Sequence, residues 1–143
     1  ITSFDEAAMA AAATDLGAQV QRARQGEVTA YAITFEGNAK GVMYLYACEK
    51  DGTACTGLRM IALFAKPDGM SDAELDAMLA QRNSDIRLAK FYRSEDGRAV
   101  AERYLVADEG VTMGNFRKEL ALFRSQIILF ARALYPEGNA AGE

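Results

Sequence analysis

The two cysteines of the chain, Cys48 and Cys55, are the residues whose type and spacing most directly suggest chemistry. They flank the polar segment EKDGTA, and each stands beside a run of residues typical of a β-strand. If those strands pair, the side chains lie across the neck of a hairpin, where the Cα separation could meet the roughly 4.4–6.8 Å that a disulfide needs. The residues leave two alternatives open: a structural bridge in an oxidising compartment, or two inert buried thiols in a reducing one.

Other catalytic or metal chemistry is disfavoured by what the sequence lacks. A zinc site needs four ligands, whereas the chain offers two thiols and no histidine. Without histidine, the Ser-His-Asp and Cys-His nucleophile systems lack their general base. No glycine-rich phosphate-binding motif occurs. We therefore predict a protein that is not an enzyme and that needs no cofactor or metal; an enzyme using paired carboxylates is the weaker alternative.

Length and charge indicate one acidic domain. The chain has 143 residues, half of them apolar or aromatic, and a formal net charge of −4. Its basic residues are scattered, which argues against a nucleic-acid partner. The longest apolar segment, SQIILFARALY, is far shorter than the roughly 20 residues that cross a bilayer, so no membrane span is predicted. Since the chain begins at Ile1, we expect that a leader was removed from a longer precursor.

The hydrophobic pattern predicts three helices and six strands. A first helix starts near Ser3 or Asp5, a second begins at Ser71, where Glu74 completes a capping box, and apolar residues at threes and fours predict a long last helix. Between the helices, alternating residues predict four strands and then two, with connections too short for parallel crossovers. The order is α-β-β-β-β-α-β-β-α, an α+β domain over residues 1–136 with helices packed on an antiparallel sheet. Residues 137–143 are predicted to be a disordered tail.

Two stretches, YACEKDGTACTGLRMIALFAK and RNSDIRLAKFYRSEDGRAVAERYLV, followed by a long helix, resemble the YbjN-like family of bacterial sensory transduction regulators. In this pattern Cys48 ends one strand, Cys55 precedes the next, and an Asn-containing segment leads into a strand with Arg and Tyr. Asn83, Arg87 and Tyr92 occupy those last places. The family commonly has Trp beside that Asn, whereas this chain has Arg82.

The resemblance implies a fold similar to that of type III secretion chaperones, which often dimerise and hold partner segments. Family members with this cysteine pair often look exported. The resemblance therefore implies a Cys48–Cys55 disulfide and a periplasmic or secreted protein, with the cytoplasm as the alternative. It gives no settled biochemical activity, and a shared fold does not transfer one.

We predict a protein-binding or regulatory domain that engages a protein partner through a sheet face, a sheet edge or a homodimer surface. Asn83, Arg87 and Tyr92 are the candidate interaction residues, although a polar residue such as Asn83 can also serve as a local cap. The alternative is a sensor or carrier of a small ligand, with a pocket between the sheet and the C-terminal helix. Tyr31, Tyr44 and Phe123 are the residues expected to line that pocket.

Overall fold

The computed structural model describes residues 1–25 and 28–137 and has the predicted α+β architecture and element order. The tail predicted over 137–143 lies, from residue 138 onward, outside the described residues. The elements are α1 (Glu6–Thr14), β1 (Gln19–Gln25), β2 (Val28–Thr34), β3 (Lys40–Tyr46), β4 (Gly57–Phe64), α2 (Asp72–Asp85), β5 (Lys90–Arg93), β6 (Ala99–Val106) and α3 (Met113–Leu134).

The six strands form one sheet in the order β1-β2-β3-β4-β6-β5. Every neighbouring pair is antiparallel. The first four strands are a simple meander. β6 then pairs with β4, so β5 becomes an edge strand at the opposite end of the sheet from β1.

Each helix begins at a side chain that accepts a hydrogen bond from the first turn. Ser71 and Glu74 form the predicted capping box of α2. Asp5, rather than Ser3, caps α1 by accepting from the Ala8 N–H at 2.7 Å. Thr112 caps α3, the longest helix. These contacts satisfy backbone donors that a helix start leaves without intrahelical partners.

The main core lies between one face of the sheet and the helices. Alternate strand residues, such as Ile33, Met43 and Met60, are fully buried there together with the apolar stripes of all three helices. Phe130 of α3 makes edge-to-face contacts with the rings of Phe64 and Phe91, with centroids 5.1 and 4.9 Å away. None of the described helices has the length and hydropathy to span a bilayer.

Candidate functional site

The second face of the sheet, which we call the open face, carries none of the three described helices. Because strand residues alternate between faces, its composition follows from the strand register. Tyr44 of β3 pairs with Arg59 of β4, which in turn pairs with Tyr104 of β6. The open face comprises these residues and their neighbours in the same alternation, among them Lys40, Val42, Tyr46, Ile61, Lys90, Tyr92, Val100, Glu102 and Val106.

Arg59 is the centre of the polar contacts on the open face. Its Nε donates to Glu102 Oε1 at 2.7 Å, and its Nη2 donates to Glu102 Oε2 at 3.3 Å and to the Tyr92 hydroxyl at 2.8 Å. The guanidinium also lies 5.9 Å from the centroid of the Tyr44 ring. A two-point contact between arginine and a carboxylate fixes both groups in orientation. Three strands, β4, β5 and β6, are thereby joined through side chains as well as through their backbones.

The protonation of this cluster reflects its partial burial. Burial disfavours the charged form of Glu102, but hydrogen bonds from Arg59 and Tyr92 outweigh it, so the pKa of Glu102 lies below its usual value. The hydrogen bond to Glu102 raises the pKa of Arg59 despite an opposing effect of burial. Burial, followed by the hydrogen bond to Glu102, raises the pKa of Tyr92. At neutral pH the cluster is an ion pair with a protonated phenol.

A second aromatic contact lies at the end of the open face where β4 begins. The rings of Tyr46 and Tyr104 are 6.4 Å apart. Gly57 lies beneath them: a Cβ atom at this position would stand 2.1 Å from the Tyr104 hydroxyl oxygen. The absence of a side chain at Gly57 therefore allows the Tyr104 ring to lie across the sheet. Tyr104 is half exposed in this position, at 50%.

The floor between these side chains is apolar. Ala30, Ile61 and Val100 are buried, yet they lie outside the main core cluster because they face away from the helices. Their cover is provided by neighbouring side chains of the same face. Val28 and Val106, at its margin, remain exposed at 40% and 58%. The open face is thus an apolar floor with tyrosine rings and one ion pair above it.

The charges of the open face differ from those of the whole chain. The described strand residues that face this side include three cations, Lys40, Arg59 and Lys90, and one carboxylate, Glu102, whereas the chain has a net charge of −4. The ammonium of Lys90 lies 5.1 Å from the centroid of the Tyr92 ring. The face is therefore locally cationic in an acidic protein.

The three candidate interaction residues do not form one site. Tyr92 belongs to the open face. Asn83 lies in α2, where its Nδ2 donates to the Phe91 carbonyl at 2.6 Å and its Oδ1 accepts from the Phe91 N–H at 2.8 Å. Arg87 is exposed in the connection from α2 to β5. An interaction role for these residues stays a prediction, while the contacts of Asn83 are those of a local cap on an edge strand.

The residues expected to line a ligand pocket are likewise separated. Tyr31 pairs with Met43 and faces the helices, where it and Phe123 of α3 are buried in the packed core. Tyr44, the neighbour of Met43, therefore points to the open face. The three side chains cannot line a single cavity.

The structure contains a disulfide between Cys48 and Cys55 at the end of the β3–β4 hairpin. Their Cα atoms are 3.8 Å apart, closer than the spacing expected from the sequence. Ala47 and Ala54, which precede the two cysteines, both have a φ of 51°, so the chain turns sharply at each. Cys55 is buried, and its carbonyl accepts a 2.7 Å hydrogen bond from the Phe4 N–H. The bridge therefore secures the hairpin against which the N-terminal segment packs.

Sequence reasoning missed Arg59 and Glu102, the pair at the centre of the open face. Arg59 was nevertheless visible as a single charge within the apolar strand sequence GLRMIALF. An arginine in such a strand requires a partner for its charge. Glu102 lies 43 positions further along the chain, so the sequence alone did not identify it.

Among the described residues, no cluster of three or more acidic, cysteine or histidine side chains could hold a metal ion. A family model matches residues 5–136; it is that of YbjN, described as "Putative bacterial sensory transduction regulator". No curated protein matches the chain.

Proposed function

Since the chain belongs to the YbjN family, we propose that it is a non-enzymatic regulatory domain that binds a protein partner through the open face. The observation that carries this proposal is the cluster of Tyr44, Tyr46, Tyr92 and Tyr104 around Arg59. Tyrosine and arginine are the residue types that contribute most to protein–protein binding.

The cluster has the pre-organisation that an interface requires. The contacts of Arg59 to Glu102, Tyr92 and Tyr44 hold these side chains in place. A partner that packs on them loses little further side-chain entropy, which is a main cost of association. The exposed ring of Tyr104 and the neighbouring Val106 supply apolar surface around this fixed centre.

The charge of the open face favours a partner with acidic groups around an apolar contact. Two copies of the domain meeting through this face would bring the cations Lys40 and Lys90 of each copy towards those of the other. Like charges across an interface disfavour the complex, whereas opposite charges accelerate its formation. We therefore assign the face to a different protein rather than to a second copy.

We further propose that the domain works in an oxidising compartment, the periplasm or the extracellular space. The support is the pairing of the only two cysteines in the chain, because disulfides persist in such compartments and are rare in the cytosol. Protein isolated from its native host should take up a thiol label on both cysteines only after reduction. Labelling without reduction would contradict this assignment.

The proposed partner site can be tested by site-specific photo-crosslinking in the native host. A photoreactive phenylalanine analogue would replace Tyr104 or Val28 on the open face, and Leu129 or Gln81 on the helix layer as matched exposed controls. We expect the two open-face positions to capture the same protein and the two control positions to capture none of it. Equal capture from both layers would overturn the proposal, and capture of a second copy alone would assign the face to a homodimer.

A small-ligand sensor is the second candidate function. Between the sheet and the start of α3, the described residues form a cleft with a volume of about 200 Å³. This volume is below the roughly 300–1,000 Å³ of common ligand pockets, so the cleft favours a group smaller than a typical metabolite. A thermal-shift screen against metabolites and lipids tests this function, and the absence of any stabilising compound would exclude it.

A further inference from the structure

We propose that the free end of the β6 edge is a second binding site, which takes up a short extended segment of another protein as an added strand. This site does not rest on the function proposed for the open face. It is built from the backbone of Tyr104 and Val106 and from the cleft between β6 and α3.

The direction of the backbone groups along β6 follows from its pairing. β5 pairs with β6 from Lys90 opposite Glu102 to Arg93 opposite Ala99. The N–H and C=O of Phe91, opposite Ala101, are bound by Asn83 and therefore point away from β6. In an antiparallel pair such residues alternate with those that bond to the partner strand. Glu102 consequently directs its backbone groups towards β5, and Tyr104 and Val106 direct theirs to the same side.

β5 does not extend alongside these two residues. Its first residue, Lys90, lies opposite Glu102, so no described strand lies beside Tyr104 and Val106 on that side. On the other side, the Ala107 N–H donates to the Thr56 carbonyl at 2.8 Å, as expected for a residue that faces β4. Within the described chain, no backbone-to-backbone hydrogen bond outside the strand ladders involves Tyr104 or Val106. Two donors and two acceptors therefore stand free along a strand edge.

A cleft of about 200 Å³ adjoins this edge, with an apolar part and a polar part formed by Asn115, Lys118 and Glu119. Leu105 and Val106 form its sheet side, and Val111 and Phe116 form its wall towards α3. An added strand would direct alternate side chains towards this cleft and towards the open face. The cleft has room for one aliphatic side chain, while Tyr104 and Val106 present exposed apolar surface to its neighbours.

These features specify an extended polypeptide as the occupant. Free backbone donors and acceptors at a strand edge bind another backbone, and an adjacent pocket gives the side-chain preference. A lipid or metabolite would leave the edge groups unpaired. Further along the same edge of the sheet, the outward N–H and C=O of Phe91 in β5 are already bound by Asn83. The site is therefore short, which fits a linear motif of a few residues with one aliphatic anchor.

Selection of random seven-residue peptides displayed on phage tests the site, and the selected peptide then serves as the probe. We expect the peptides to share one aliphatic position. Binding of the probe should slow amide hydrogen exchange at Tyr104 and Val106. The proposal would be overturned if the selected peptides shared no pattern. It would also be overturned if the probe left hydrogen exchange at these two amides unchanged.

Val106→Pro provides the matched variant, because it removes an N–H that faces outward and leaves the pairing with β4 intact. The probe should bind this variant at least tenfold more weakly. Arg22→Pro is the control on β1, at the other edge of the sheet, and should bind the probe as the wild type does. Equal binding to Val106→Pro, or loss of binding in Arg22→Pro, would contradict the assignment. Should Val106→Pro fail to fold, Asn115→Trp, which fills the cleft from α3, replaces it with the same expectation.

Discussion

Arg59 and Glu102 meet diagonally across β4 and β6, with Nε to Oε1 at 2.7 Å and Nη2 to Oε2 at 3.3 Å. Neither residue is directly opposite the other in the register: Arg59 pairs with Tyr104, and Glu102 pairs with Ile61. The long arginine side chain spans the offset and passes the ring of Tyr44. The ion pair therefore fixes Arg59 in contact with Tyr44 and Tyr92, two of the tyrosines on which the proposed interface depends.

Replacement of Glu102 by Gln tests the strength of this pair through its pH dependence. Because the pKa of Glu102 is lowered in the folded protein, its ionised form adds to the free energy of unfolding. This contribution is fully present above the ordinary glutamate pKa of about 4.3. The contribution is lost as the pH falls through the lower folded value. We expect Glu102→Gln to be less stable by about 1–2 kcal/mol at pH 7, with the difference shrinking towards pH 3. Urea denaturation across this range measures it.

The control is the same substitution in an Arg59→Met background. Without the guanidinium, Glu102→Gln should have a much smaller effect at pH 7, as a double-mutant cycle requires for a direct interaction. If Glu102→Gln changes the free energy of unfolding by the same amount at every pH and in both Arg59 backgrounds, the ion pair does not stabilise the sheet.

Gly57→Ala should displace Tyr104 without changing any charge. The added Cβ would lie 2.1 Å from the hydroxyl oxygen of Tyr104 and 3.3 Å from the Tyr46 Cβ. Since Tyr104 is a surface side chain, we expect it to swing outward while the domain stays folded. Binding of the crosslinked partner should weaken about tenfold, as expected for loss of one aromatic anchor. Calorimetric titration measures this, and unchanged affinity in a folded Gly57→Ala protein would remove Tyr104 from the interface.

Asn83 should stabilise the domain and prevent β5, an edge strand, from pairing with another chain. Asn83→Ala removes two hydrogen bonds to Phe91 and should cost about 1–3 kcal/mol of unfolding free energy. Asn83→Asp keeps the acceptor but sets a carboxylate oxygen against the Phe91 carbonyl, so at neutral pH it should be at least as destabilising as Asn83→Ala. With the edge open, self-association should also increase. Urea denaturation and sedimentation measure both effects, with Gln81→Ala on the same helix as control; three equally stable, monomeric variants would exclude the edge role.

The guanidinium of Arg82 packs over the rings of Phe91 and Phe130, with its Cζ atom 4.9 and 5.1 Å from the two ring centroids. Burial lowers the pKa of Arg82, and its buried Nε has no hydrogen-bond partner in the described structure. Arg82→Met keeps the packing and removes the desolvated charge, so its stability should equal or exceed that of the wild type. Arg82→Ala should lower the free energy of unfolding by about 1–3 kcal/mol, because the two rings lose the side chain that packs on them.

Thermal and urea denaturation of the two Arg82 variants distinguish packing from charge. If Arg82→Met is as destabilised as Arg82→Ala, the charge over the rings, rather than the side-chain stem, is what stabilises this contact.

Removal of the disulfide should weaken the domain without unfolding it. Closing so short a loop is worth about 2–3 kcal/mol in the chain-entropy estimate. We expect the double variant Cys48→Ser/Cys55→Ser to have a free energy of unfolding lower by about that amount, as measured by urea denaturation. Hydrogen exchange should accelerate at Phe4, whose N–H binds the Cys55 carbonyl. A variant as stable as the oxidised wild type would show that the bridge is not a structural element.

The order of helices and strands was predictable because local signals are strong where they occur. Ser71 and Glu74 form the capping box that their spacing indicated, and the apolar repeat of the last helix marks its buried stripe. A local pattern does not show which face of a strand meets the helices when both faces carry apolar or aromatic residues, as in β3. For this reason Tyr44 was grouped wrongly with Tyr31 and Phe123.

The candidate site was less predictable than the fold because its contacts are distant in sequence. Tyr92 was identified, but its partner Arg59 lies 33 positions away and their meeting depends on the order β4-β6-β5. That order requires β4 to pair with β6 rather than with β5, the next strand in the chain. No local pattern encodes this choice.

The most direct measurement is the dissociation constant of the protein captured from the open face, determined by calorimetry with purified components. We predict at least a tenfold weaker affinity when Tyr46 and Tyr104 are both replaced by Ala, and an unchanged affinity for Leu129→Ala on the helix layer. The affinity should also fall with rising salt concentration, because the open face is cationic. Unchanged affinity in the double tyrosine variant, with loss in Leu129→Ala, would contradict binding through the open face and move the binding site to the helices.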